Sequence, residues 1–134
     1  MEQDKKQSAI GLLLCDDMMF TSRITGVGRD LNLTVMPVRS AAALEAAVKR
    51  QTPRCVIVDL ANPGLVIEEL VQHLRDSCAA MPRVVAYGSH VDAATLRAAR
   101  AAGCDVVLPR SQFVDHLPSA LPEWMGQKDG MDEG

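Results

Sequence analysis

The sequence predicts a single α/β domain: a doubly wound, five-stranded parallel sheet with helices on both faces. Three observations carry this reading. Short apolar runs alternate with longer segments of helical spacing, five times over, and that alternation marks a parallel sheet with crossover helices. Several runs are continuously apolar rather than alternating, as in strands buried on both faces. A chain of 134 residues suits one domain, and right-handed crossovers favour the doubly wound topology.

The expected strands are Ile10 to Leu14, Leu33 to Met36, Cys55 to Val58, Val84 to Tyr87 and Val106 to Leu108. The first helical stripe is Phe20, Ile24, Val27 and Leu31, and Ile67, Leu70, Val71 and Leu74 form another. Ser40 and Asp92 precede Ala-rich segments as N-caps, and Gly103 stands where a helix C-cap belongs. The last helix starts near Ser111, and Pro118 and Pro122 predict that it is short or kinked. The domain is expected over 9–124, between a disordered N-terminus (1–8) and a disordered Gly- and Asp-rich tail (125–134).

Composition narrows the function classes. Aromatic residues make up 3% of the chain, so the core must be aliphatic and a stacking surface for single-stranded nucleic acid is not expected. A net charge of -3 gives no basic footprint for DNA or RNA. Cys15, Cys55, Cys78 and Cys104 form no C-x-x-C pair and read as free thiols of a cytoplasmic protein, mostly buried. The N-terminal segment is not a secretory signal, and no apolar stretch approaches the roughly 20 residues that a membrane span needs.

Ligands of an open α/β sheet bind outside the carboxyl ends of its strands. Asp16 and Asp17 follow the first strand and Asp59 the third. Gly88, Ser89 and His90 follow the fourth, and Arg110 the fifth. Three carboxylates on one edge repel one another unless a cation or a raised pKa relieves them, and a hard divalent ion such as Mg2+ does so with oxygen ligands and water. Gly26-Val27-Gly28 lies inside a helical stripe and reads as helix packing or a kink, not a phosphate loop. His73, His90 and His116 read as solvated side chains, and Met18 and Met19 as packing residues.

The segments Leu12-Leu13-Leu14-Cys15-Asp16-Asp17, Val56-Ile57-Val58-Asp59-Leu60 and Ala101-Ala102-Gly103-Cys104-Asp105 together resemble a response-regulator receiver domain of the CheY-like superfamily, in divergent form. The resemblance covers about residues 9 to 121. It implies the flavodoxin-like strand order 2-1-3-4-5. It also implies Mg2+ held by Asp16, Asp17, Asp59 and the backbone carbonyl of Ala61, with Asp59 accepting a phosphoryl group from a histidine kinase or phosphotransfer protein. Gly88, Ser89 and Arg110 would contact that phosphoryl group. The family's Thr or Ser is replaced by Gly88, its Lys by Arg110, the following Pro by Ser111 and its signalling aromatic by Val107. An Arg in place of a Lys is not a conservative change.

The expected function is therefore a stand-alone receiver-like domain in a phosphorelay, signalling to an unidentified protein effector. The alternative is a pseudo-receiver acting as a phosphorylation-independent interaction module. Neither nucleic acid nor membrane is an expected partner, and the homodimer is left open. No nucleophile–base pair is recognisable, so no enzymatic turnover is expected.

Overall fold

The computed structural model describes residues 9–126. β1 (Ile10–Leu14) and β3 (Cys55–Asp59) are buried at every position, which is why they read as unbroken apolar runs. β4 (Arg83–Gly88) is buried at all but its first residue. β2 (Thr34–Val38) and β5 (Val106–Pro109) are more exposed because they form the two edges of the sheet. The order is β2-β1-β3-β4-β5, with parallel pairing throughout. The expected topology is the observed one. Pro37, inside β2, lies on an edge strand, where a missing N–H donor is tolerated.

Five helices connect and cover the strands: α1 (Met18–Asp30), α2 (Ala41–Arg50), α3 (Ile67–Ser77), α4 (Ala93–Ala102) and α5 (Arg110–Gly126). The Ser40 hydroxyl accepts from Ala43 N–H, and Asp92 accepts from Thr95 N–H. Gly103 ends α4 at φ 106°, a left-handed conformation that glycine adopts without steric cost. Gly28 is buried in α1, where an added Cβ would stand 3.0 Å from the Leu33 carbonyl oxygen and 3.2 Å from Val35. The Gly26-Val27-Gly28 segment is thus a close helix–strand packing feature.

Successive strand residues point to opposite faces, and the two faces are chemically unlike. Leu12, Leu14, Val56, Val58, Val84 and Ala86 pack against α2, α3 and α4 in a cluster without aromatic residues. Leu13, Cys15, Ile57, Val85 and Tyr87 face α1 and α5. All the aromatic residues of the chain belong to this second face: Tyr87, Phe113 and Trp124 are buried in it, and Phe20 packs against it. Tyr87 stacks on Phe113 at 4.6 Å between ring centroids, and Phe113 on Trp124 at 5.9 Å.

α5 departs from expectation. It runs unbroken for 17 residues through Pro118 and Pro122. Each interior proline removes a helix bond and costs about 3 kcal/mol. Leu117, Leu121, Trp124 and Met125 are buried along the same helix, and each contributes roughly 1.5–3 kcal/mol, enough to hold the segment on the sheet. Met125, placed in the expected tail, is 1% exposed, and Arg54 donates to the Gly126 carbonyl at 2.6 Å. Residues 1–8 and 127–134, also expected to be disordered, lie outside the described residues. Cys15, Cys55 and Cys78 are buried, and Cys104 is half-buried. No helix among the described residues is long and apolar enough to cross a membrane.

Candidate functional site

The carboxyl ends of β1 and β3 lie side by side at the centre of the sheet, and they bring Asp16, Asp17 and Asp59 to one edge. Asp59 is the deepest, 5% exposed. Its Oδ1 accepts the Ala61 N–H at 2.9 Å, and its backbone carbonyl accepts the Asn62 N–H at 3.0 Å. Its Oδ2 accepts from the Cys15 thiol at 3.6 Å. The Tyr87 hydroxyl in turn donates to Cys15 Sγ at 3.3 Å. A short buried chain from Tyr87 through Cys15 to Asp59 therefore underlies the pocket. Burial first, then the Cys15 bond and the Asp59 charge, hold the Tyr87 phenol protonated far above its ordinary range, with Arg110 pulling weakly the other way.

The other two carboxylates are exposed and engaged elsewhere. Asp17 is the N-cap of α1, where its Oδ1 accepts from Met19 N–H at 3.0 Å and Phe20 N–H at 3.1 Å. Asp16 Oδ1 lies 3.5 Å from Arg39 Nε, an ion pair at the surface. Oxygen donors have the right chemistry for Mg2+. Yet no group of three or more His, Cys, Asp or Glu side chains gathers to hold a metal ion among the described residues. The three acids share an edge without forming a cluster.

The basic side of the edge is separate. Gly88 is buried, and a Cβ added there would stand in ordinary van der Waals contact, 3.4 Å from both Leu60 and Leu96; as a glycine it offers no hydroxyl at this strand end. Ser89 is exposed and its Oγ accepts the Val91 N–H at 3.3 Å. Arg110 opens α5 with its guanidinium 5.4 Å from the Phe20 ring centroid and 6.0 Å from that of Tyr87. A groove of about 470 Å3 follows, lined by Phe20, Arg23, Ser89, His90, Arg110 and the first turn of α5. Val107 is half-buried against the aliphatic face.

No protein-family model matches the sequence, and no curated protein matches it. Solved structures do. NtrX from Brucella abortus matches with a TM-score of 0.77 and 20% identity, covering 94% of this chain and 28% of NtrX. The receiver domain of Saccharomyces cerevisiae Ssk1, solved with the phosphotransfer protein Ypd1, matches with a TM-score of 0.76 and 17% identity, over 90% of this chain and 91% of that one. A signal receiver domain from Bermanella marisrubri gives 0.75 and 22%, over 87% and 98%. This chain has the receiver fold. The Brucella NtrX chain is far longer, and this chain spans about a quarter of it.

On the receiver fold the expected acidic residues stand at the carboxyl ends of β1 and β3, as the spacing of their motifs implied. Sequence reasoning missed Cys15, Tyr87 and Asn62. Cys15 follows Leu14 and so faces the opposite side, toward Tyr87; its one signal was its place directly before Asp16. Tyr87, the single tyrosine, lies next to the end of a buried strand, where a hydroxyl needs a partner. Asn62 is 5% exposed and donates to the Arg39 and Pro63 carbonyls, while its Oδ1 has no hydrogen-bond partner among the described residues. Met18 and Met19, read as packing residues, are instead 66% and 84% exposed. They sit on the first turn of α1, which stands out from the sheet edge.

Proposed function

We propose that this chain is a receiver-fold interaction module that docks a partner protein over the rim of the Asp59 pocket without needing phosphorylation. The observation that carries this reading is the engagement of the pocket's own acids. Asp59 is satisfied internally by Ala61 and Cys15, Asp17 caps α1, and Asp16 turns to Arg39. Arg110, the residue that would neutralise a phosphoryl group, lines the separate groove beside Phe20. The rim offers contact surface in the same place: Met18, Met19, Val66 and Val91 are large, exposed and apolar on the segments that follow β1, β3 and β4. Methionines suit adaptable protein contacts. The complex of the Ssk1 receiver domain with a histidine phosphotransfer signalling protein supports a phosphotransfer protein as the class of partner.

A second reading has an observation of its own. Asp59 stands at the carboxyl end of a central strand, beside a backbone N–H and two further carboxylates, where an aspartate can act as nucleophile for phosphoryl transfer. In that reading Asp59 is the phosphoacceptor, with Mg2+ supplying charge neutralisation and Asp16, Asp17 and the Ala61 carbonyl as its candidate ligands. The donor would be a histidine kinase or phosphotransfer protein. Intact-mass measurement after acetyl phosphate with Mg2+ separates the two. The interaction-module reading expects no gain; a gain of one phosphoryl group that is lost in Asp59→Asn would establish the second.

A further inference from the structure

We propose that the groove between α1, the loop after β4 and the start of α5 binds a small organic phosphate, independently of Asp59. Its polar wall carries Arg23, Arg110, His90, Ser89 and Ser111. Both guanidinium groups are permanently charged. No carboxylate among the described residues pairs with either; the ion pairs present there involve Arg39 and His73. Asp115 is the single acid on the lining, so the wall keeps an excess of positive charge. Two unpaired cations facing one concavity repel each other, and a bound anion removes that cost.

The rest of the groove narrows the ligand. Guanidinium forks match phosphate oxygens two at a time, and Ser89 and Ser111 add hydroxyl donors. Arg110 and Ser111 open a 17-residue helix, whose first-turn N–H groups favour negative charge nearby. Phe20 and Val114 add apolar surface to the same lining, which suits a carbon framework rather than a bare ion. The volume of about 470 Å3 falls within the range of small-molecule sites. Arg110 is held against Phe20 on one side, which fixes the guanidinium in the groove wall and reduces the entropy lost on binding.

Calorimetric titration of the full chain with adenosine monophosphate, inorganic pyrophosphate and adenosine tests the proposal. Adenosine monophosphate should bind, and more tightly than pyrophosphate, while adenosine should give no heat. Arg23→Gln and Arg110→Gln should each weaken binding at least tenfold while keeping the circular dichroism spectrum and melting temperature of the parent, since both side chains are exposed. Asp59→Asn should bind as the parent does, which keeps this site distinct from the acidic pocket. Absence of binding, unchanged affinity in both arginine variants, equal binding of adenosine, or loss of binding in Asp59→Asn would each overturn it.

Discussion

The acidic and basic halves of the sheet's carboxyl edge are built differently. On the β1–β3 half each acid is engaged by the fold: Asp17 in a helix cap, Asp59 in a turn and a buried thiol bond, and Asp16 in a surface ion pair. On the β4–β5 half the charged group has no carboxylate partner among the described residues: Arg110 leans on an aromatic ring and lines an open groove that Arg23 of α1 also faces. Tyr87 lies between them, bonded to Cys15 on one side and under Arg110 on the other. A receiver that works as a switch needs both halves on one phosphoryl group. Here the buried side chain at the junction is a tyrosine, and the strand-end hydroxyl is missing at Gly88.

The aromatic support of the basic half is the place to break this division with the largest effect. Phe113 is fully buried between Tyr87 and Trp124. Phe113→Ala should lower stability by about 3–5 kcal/mol, read as a fall in the urea midpoint. Leu74→Ala, on the aliphatic face, should cost about 2–5 kcal/mol but leave the groove's affinity for adenosine monophosphate unchanged once both variants are measured below their transitions. Loss of affinity in Leu74→Ala would show that the two faces are coupled.

Asp17 sharpens the comparison from the acidic side. As the N-cap of α1 it accepts two backbone N–H groups, so Asp17→Ala should cost about 1 kcal/mol by chemical denaturation. An increase in stability would mean that Asp17 is a strained pocket acid rather than a structural cap. The Asp16–Arg39 pair is exposed, and Arg39→Ala should change stability by no more than about 1 kcal/mol, shrinking further in high salt.

The pH dependence follows from the acids whose pKa burial raises, Tyr87, Cys104 and Cys78. Tyr87 is raised by burial, and Cys104 is pushed up to about 11 by burial and then by the charge of Asp105. Both are acids whose neutral form the fold favours. Their contribution is therefore fully present below the ordinary thiol value of 9.0 and is lost as pH rises toward the folded values. Urea midpoints should be flat up to about pH 8 and fall above it, and Tyr87→Phe should fall less steeply. An equal alkaline loss in Tyr87→Phe would remove Tyr87 from the cause.

Much of the fold was legible because its physics is local. β1 and β3 are buried on both sides, so their runs carry no polar interruption, and Ser40, Asp92 and Gly103 mark helix ends with chemistry that backbone geometry demands. α5 was misread for the opposite reason: Pro118 and Pro122 are local signals, while the packing of Leu121, Trp124 and Met125 on the sheet is not. At the site, motif spacing located the acids, but not their partners. The Cys15–Tyr87 bond joins residues 72 positions apart, and the direction of Arg110 depends on where α1 places Phe20. Neither is written in any short stretch of sequence.

The division of the edge is tested most directly by two-dimensional 15N NMR of the full chain with and without beryllofluoride plus Mg2+. A divided edge requires that the amides of Ser89, Val107 and Arg110 keep their chemical shifts. Coordinated shifts at all three, abolished by Asp59→Asn, would show that the acidic and basic halves act together on one phosphoryl-like group and would contradict it.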